Sequence, residues 1–526
     1  MNTILENRLK WLSSLTPEAI RFIRGIEKEG LRVTPDSRLA QTNHPAGLGS
    51  ALTHPSITTD YSEALLEFIT PTFSSTEENL DYLANLHRYA YLKMPADELI
   101  WPGSMPAIID HEEDVRIAEY GSSNIGRLKH VYRHGLWHRY GRIMQAIAGL
   151  HFNFSMTDEF WQHFQQHQQN NQPIEDFKSE RYFSLIRHFR RNSWLLMILF
   201  GASPAIDESF LKSPSKRLSH LHRRTLVSPT ATSLRMSDIG YTNSAQANLH
   251  VCFNGLPSYI QTLRSAIHTE YPAYASMGIK KGDDYLQMNT NILQIENEYY
   301  SDIRPKRTVQ SGEKPVCALQ RRGVEYIEVR CMDLDPFNPV GISTQSISFL
   351  ELFLTWCMLS DSGFISDEEC ELLKQNLAGI VMNGSQLDQD YPTMTGSFKL
   401  RRQATAILDE LQQLAEVMDQ INGDSKYRTV IAEAQEKIDH PELLPSSKIR
   451  TLLEDGQEYH ELMYNLARQH RETLMQTPLS EQQIQSMEAI TAESLKRQQE
   501  IESGDDISFE QFIAEYQDQD ARFCHD

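Results

Sequence analysis

One extended segment limits what this chain can become. Between Arg24 and Val33 the sequence reads Arg24-Gly25-Ile26-Glu27-Lys28-Glu29-Gly30-Leu31-Arg32-Val33. As a strand it turns successive side chains to opposite faces, so Glu27 and Glu29 point the same way. Two carboxylates side by side raise each other's pKa unless a cation sits between them. Hard divalent ions select oxygen-rich clusters of this kind. Such a strand belongs either to a solvated sheet edge or to a sheet with a polar working face.

The rest of the chain favours the working face. Strand-like segments also fall at 63–70, 150–156, 249–254, 286–297 and 324–333, with helical stretches at 76–94, 127–148, 179–200 and 257–269. Strands this far apart, with helices between them, imply an α/β or α+β domain. Several of them carry polar residues mid-strand. His151, Asn153 and Ser155 share a face opposite Phe152, Phe154 and Met156; Glu328 and Arg330 oppose Ile327 and Val329; Glu67 interrupts Leu65-Leu66-Phe68-Ile69. Glu27, Glu29, Asp60, Glu67 and Glu328 on one concave sheet would repel strongly without metal, and His151 offers a neutral nitrogen ligand beside them. Arg235, Arg330 and the run Arg304-Pro305-Lys306-Arg307 supply cations for phosphates or carboxylates. Carboxylates for Mg²⁺ with arginines for phosphate are the equipment of phosphoryl transfer.

Beyond about residue 345 the character is helical. The segment 343–361 reads as a buried helix. Ala404, Ile407, Leu408, Leu411, Leu414, Ala415, Met418 and Ile421 form a helical stripe ended by Asn422-Gly423, and 480–526 is acidic, Gln-rich and helical in propensity.

Composition excludes several function classes. A net charge of −21 argues against nucleic acid or an anionic membrane as partner, because both require a cationic footprint. The longest apolar run, Trp194–Phe200, is too short to cross a bilayer. Six cysteines with no Cys-x-x-Cys pair read as reduced thiols in a cytoplasmic protein. Gly121-Ser-Ser-Asn-Ile-Gly126 lacks the Lys-Ser/Thr end of a P-loop, and His130, His134 and His138 have no acidic partner in the zincin arrangement.

Taken together, these segments resemble one family. Gly25–Val33, Leu48–Pro55, Ile57–Tyr61, Glu63–Pro71, Ala231–Asp238, Leu293–Glu298, Ile303–Arg307 and Gly323–Arg330 are similar to the motifs of glutamate–cysteine ligases (γ-glutamylcysteine synthetases) of the proteobacterial type. The resemblance spans most of residues 15–360 and weakens after about residue 375. It implies an α+β, glutamine-synthetase-like fold, in which a curved, mainly antiparallel sheet cups the active site amid helices. A catalytic part, 1–375, would carry a helical C-terminal region, 376–526, packed on it, with a monomer favoured. It implies ATP-dependent joining of the L-glutamate γ-carboxylate to the amine of L-cysteine through γ-glutamyl phosphate, the first step of glutathione synthesis, with Mg²⁺ or Mn²⁺.

By the same resemblance, Glu27, Glu29, Asp60, Glu67, His151 and Glu328 are metal ligands. Arg330 acts on the transferring phosphate and, with Arg304, Lys306 and Arg307, belongs to the nucleotide site. Arg235 and Arg133 hold a substrate carboxylate, and Tyr61, Tyr132, Tyr241 and Tyr300 line the cysteine pocket. Position 61 is Tyr where the family often has Phe. Glu27→Gln is expected to abolish activity with little loss of stability, since it removes one charge from a repulsive cluster. The alternatives are a ligase of the same fold using another amine, and a non-catalytic nucleotide or amino-acid sensor. The sensor would be expected to have lost these carboxylates, and all are present.

Overall fold

The computed structural model describes residues 3–240, 246, 249–310 and 313–523. At its centre is a seven-stranded sheet: β1 (Phe22–Val33), β2 (Ile57–Thr59), β3 (Leu65–Ile69), β4 (Leu99–Ile100), β5 (Leu150–Met156), β6 (Ile303–Lys306) and β7 (Tyr326–Met332). The order is β6-β7-β5-β1-β3-β2, with β4 on the far end of β1. Every pairing is antiparallel, which decides for α+β over a parallel α/β sheet. The long β1 is the spine, pairing with β3, β4 and β5.

Alternation sorts the two faces. Ile26, Leu66, Phe68, Phe152, Phe154, Ile327 and Val329 are fully buried on one of them, and helices pack there: α1 (Thr76–Lys93), α3 (Ile174–Asn192), α4 (Trp194–Phe200) and α6 (Thr344–Leu359). Helix α6 is buried throughout from Ser346 to Leu359, as its apolar run implied. On the other face lie α2 (Asn124–Tyr140) and the segment preceding β6. Ser123 caps α2 by accepting from the Gly126 N–H, and Gly141, at φ 84°, ends it.

Several boundaries differ from the sequence expectations. The helix read over 127–148 stops at Tyr140, with a 3₁₀ turn at Ile143–Ala146. The one read over 179–200 is divided at Ser193, whose hydroxyl donates to Asp302. The helix expected at 257–269 is α5 (Leu256–His268). The strands expected at 249–254 and 286–297 are absent: the first is irregular, and the second is irregular from the residue after Tyr285 to a 3₁₀ turn that begins at Glu296. In the second segment side-chain amides satisfy the backbone that a ladder would have paired. Gln294 Oε1 accepts from Met288 N, Asn289 donates to Gln294 O, and Asn291 donates to Ile267 O.

Cys252, Cys331, Cys357 and Cys370 are free thiols. Cys317, expected to be reduced, is disulfide-bonded, and Cys524 lies outside the described residues. Spacing along a chain does not report which distant thiols the fold brings together. Among the described residues no helix is long and apolar enough to cross a membrane.

The C-terminal helices are α7 (Leu400–Asn422), α8 (Lys426–Asp439), α9 (Tyr459–Met475), α10 (Glu481–Gly504) and α11 (Phe509–Phe523). The stripe from Ala404 to Met418 is buried as its period implied, and Gly423 closes α7 at φ 73°. One buried ion pair ties this region to the sheet. Arg24 of β1 meets Glu351 of α6, both almost fully buried, and the Tyr427 hydroxyl of α8 donates to the same carboxylate at 2.8 Å. Removing one partner from a buried pair leaves an uncompensated charge, at a cost of about 3–5 kcal/mol. Glu351→Ala is therefore expected to lower the unfolding free energy by about that amount in urea titrations, and Arg24→Met with Glu351→Leu to recover most of it. Equal losses in the single and double variants would show that the loss came from packing instead.

Candidate active site

Register assembles the polar face. Glu27 of β1 lies opposite His151 of β5, Glu29 opposite Glu67 of β3, and Asn153 opposite Glu328 of β7. Directly opposed residues project to the same side, so four strands converge their ligand-type groups on a single patch. One ligand atom each from Glu27, Glu67 and His151 lie within 4.8 Å of one another. His151 Nδ1 is 3.3 Å from Glu27 Oε2 and 4.0 Å from Glu328 Oε1, and its Nε2 is 3.7 Å from Glu29 Oε1. Asn153 donates to Glu27 Oε1 at 2.9 Å, and the Gly149 N–H donates to Glu29 Oε2 at 2.5 Å.

The carboxyls are not equivalent. Burial, with Glu27, Asp60 and Glu29 nearby, pushes Glu67 well above the ordinary carboxylate range, and burial also raises Glu29. Burial acts on Glu27 and Glu328 too, but other groups outweigh it. The hydrogen bond to His151 brings Glu27 below its ordinary value. Lys306 and Arg330 hold Glu328 well below its own. Burial first, and neighbouring carboxylates second, thus weigh on Glu67, burial weighs chiefly on Glu29, and Glu27 is favourably held. Glu328 Oε2 is buried without a hydrogen bond, though Arg330 Nη1 stands 3.2 Å away.

This patch floors a cavity of about 420 Å³ lined by Glu27, Glu29, Asp60, Glu67, His151 and Glu328. All six expected ligands are therefore brought together. Lys306 and Arg330 stand at the β6–β7 side, 3.4 and 3.2 Å from the Glu328 carboxylate. Tyr132, Arg133 and Leu136 of α2 also line it, with Tyr61, Met144, Ile147 and Tyr300. Tyr61 is buried and its hydroxyl has no hydrogen-bond partner.

Four expectations fare differently. Arg307 is not in the cavity wall; it follows β6 and donates to Arg322 O. Arg304 reaches the wall, but its guanidinium donates to the carbonyls of Asn297 and Tyr299, so it braces the loop carrying Tyr300. Arg235 lines the cavity as expected, but it is 1% exposed, gives Nη2 to Arg330 O at 2.9 Å and faces Asp333 at 3.7 Å. Tyr241 lies outside the described residues.

Sequence reasoning missed Lys129, Asn297 and Glu298 in the wall. Lys129 was findable, because it stands one helical turn before Arg133. Glu298 is spent on Arg139, Tyr140 and the Gln294 N–H, long-range partners that no local pattern reveals. The rejected P-loop stays rejected: carboxylates of Glu502 and Asp505 already occupy the Ser122 and Asn124 N–H groups.

A cluster of buried carboxylates beneath two cations, on an antiparallel sheet, defines a site of the metal- and phosphate-handling class. Comparison with known proteins narrows that class. The family model described as "Glutamate-cysteine ligase" matches residues 9–380. The chain is 47% identical to a glutamate–cysteine ligase of Hahella chejuensis, over 98% of this chain and 99% of that one. It is 49% identical to one of Alcanivorax borkumensis, over 94% and 95%. The crystal structure of a Francisella tularensis glutamate–cysteine ligase in complex with AMP superposes with a TM-score of 0.91 at 35% identity, covering 96% of this chain and 99% of that one. A bifunctional glutathione synthetase from Pasteurella multocida, 24% identical with a TM-score of 0.72, shares the fold. The chain belongs to the glutamate–cysteine ligase family.

The raised Glu67 carboxyl has a measurable consequence. A folded-state value above the unfolded one means the folded, metal-free protein binds more protons, so stability falls as pH rises past the ordinary carboxylate range. With divalent ions chelated, Glu67→Gln is expected to melt higher than the parent at about pH 7–8, with the gain shrinking towards about pH 4. A gain independent of pH, or a loss, would show that Glu67 is not held under this strain.

Proposed function

We propose that this protein joins the γ-carboxylate of L-glutamate to the amine of L-cysteine, using ATP, through γ-glutamyl phosphate, the first step of glutathione synthesis. The observation that carries the reading is the set of groups that line one cavity. Ligand-type carboxylates and an imidazole, phosphate-type cations, and a set of aromatic and aliphatic side chains line the same space. Family membership supplies the substrates, and the AMP in the Francisella protein supports a nucleotide.

The donor set fits a hard divalent ion, with all-oxygen ligands and one neutral nitrogen available. Glu27, Glu67 and His151 would hold it, with Glu29, Asp60 and Glu328 around them. Mg²⁺ or Mn²⁺ there would neutralise nucleotide phosphate oxygens. The protein's own groups do the remainder. Lys306 and Arg330 draw the γ-phosphate to the Glu328 edge, and Arg330 stabilises charge on the group in transfer. A carboxylate is a poor acyl donor; once phosphorylated it can be attacked by an amine. Tyr61, Tyr132 and Tyr300 enclose a small thiol side chain and keep water from the acyl phosphate. Consumption of ATP and a free thiol suits a cytoplasmic enzyme.

Phosphate release is expected to require glutamate and cysteine together, and to stop when divalent ions are chelated. Turnover indifferent to the amine would overturn the ligase reading, and a strong preference for a bulky or cationic amine would overturn cysteine. Arg330→Gln is expected to lower kcat by about 10²–10³ with the KM for ATP changed little. A change confined to KM would assign Arg330 to ground-state binding alone.

A further inference from the structure

One motif of the sequence stays outside the cavity. His130, His134 and His138 recur four residues apart on α2, so they lie one above another on a single face of the helix. None of them lines the cavity, which takes Lys129, Tyr132, Arg133, Leu136 and Tyr140 from the same helix. All three are half-buried, and they are used unequally. His138 stacks on Trp137 at 4.3 Å, and Arg142 lies over that indole at 3.8 Å. His130 Nδ1 stands 2.8 Å from Ala118 O. A carbonyl only accepts, so Nδ1 carries the proton and Nε2 keeps its lone pair. Among the described residues the His134 ring touches only other rings, those of His130, Trp137 and His138.

The separation of the first two rings fits one ion. A ligating imidazole nitrogen lies about 2.0–2.1 Å from Zn²⁺, and at a near-tetrahedral angle the centres of two such rings stand about 5 Å apart. The His130 and His134 ring centres are 4.8 Å apart, whereas those of His134 and His138 are 6.2 Å apart. The first pair has the spacing of a chelate, and the second does not. An imidazole must also be neutral to ligate. Burial, with His130, His138 and Arg142 close by, brings His134 down to about 4, so it is neutral at physiological pH. Arg142 acts against a cation there, though its guanidinium is held on the Trp137 face, and the Asp284 charge acts in favour of one.

We propose that His130 and His134 form a two-imidazole site on α2 for a divalent transition metal of the Zn²⁺ or Ni²⁺ class. Imidazole nitrogen suits these ions, whereas the carboxylates of the cavity select hard Mg²⁺ or Mn²⁺. Ligand chemistry therefore separates the two sites as well as position. The Ala118 carbonyl fixes the tautomer and ring of His130, the outer-shell part that accompanies a ligating histidine. An ion bridging residues 130 and 134 ties together two turns of the helix that carries Tyr132, Arg133 and Leu136 to the cavity. The site does not depend on the ligase reading.

The test titrates Zn²⁺ into the full chain by calorimetry, with Mg²⁺ in millimolar excess to fill the carboxylate cluster. One equivalent of Zn²⁺ is expected to bind that Mg²⁺ does not displace. His130→Ala and His134→Ala should each weaken it at least about tenfold, the low end of what losing even an outer-shell partner costs. His138→Ala and His151→Gln should weaken it less than that. On the unaltered chain, Zn²⁺ should protect His130 and His134, and not His138, from diethyl pyrocarbonate. This second arm stands even if an alanine variant fails to fold. Absence of Mg²⁺-resistant Zn²⁺ binding, equal affinity in the parent and His134→Ala, or loss of the site in His151→Gln would each overturn the proposal. So would modification of His130 and His134 undiminished by Zn²⁺. None of these readouts requires turnover.

Discussion

Like charge, concentrated and buried, is what the rest of this structure is arranged around. Antiparallel register places Glu27, Glu29, Glu67 and Glu328 on one patch with His151 among them. Placing several carboxylates together away from water is costly unless each finds a hydrogen bond, a cation or a proton. The protein uses all three means. Glu27 takes hydrogen bonds from Asn153 and His151, Glu328 takes Lys306 and Arg330, and Glu67, with no hydrogen bond or ion pair among the described residues, has its pKa pushed up by burial and the neighbouring carboxyls. The residue least satisfied by the protein is thus a member of the tightest three-residue ligand group. The strain sits where a bound cation would relieve it.

That patch can be held only because the opposite face of the sheet is rigid. Phe152, Phe154, Phe68 and Ile26 are fully buried beneath it, and the Arg24–Glu351 pair joins β1 to the helix layer. A one-residue slip in β1 would exchange Glu27 and Glu29 for Ile26 and Lys28, sending carboxylates into the apolar core. Core and site therefore specify the same register from opposite faces.

The alternation that sets this register is local, and so β1, β3, β5 and β7 could be read from Glu27, Glu67, His151 and Glu328 alone. What escaped was non-local. β6 was seen only as a basic run, because Pro305 and two cations hide a four-residue strand. The segment 286–297 alternates like a strand but spends its amides on its own backbone. The likeness of Arg235, Arg304 and Arg330 in sequence conceals three different environments. All three line the cavity, but two of these guanidiniums also donate to carbonyl groups of the protein, whereas Arg330 stands beside the Glu328 carboxylate. Residue type gave the inventory of charge, but its division between structure and chemistry required the fold.

The C-terminal helices bear on that division more than a purely supporting role suggests. Phe509 and Ile513 of α11 pack with Leu128, Val131 and Met288, and Gln517 donates to Met288 O. Asp505 and the Ile507 carbonyl hold the first residue of α2. Helix α2 is therefore gripped from behind by the last described helix, while its front carries Lys129, Tyr132, Arg133 and Leu136 into the cavity. Repulsion between Lys129 and Arg133 acts to splay that helix face, and its position is fixed by contacts drawn from nearly the opposite end of the chain. The helix that carries these residues to the carboxylates is thus held in place by residues beyond 500.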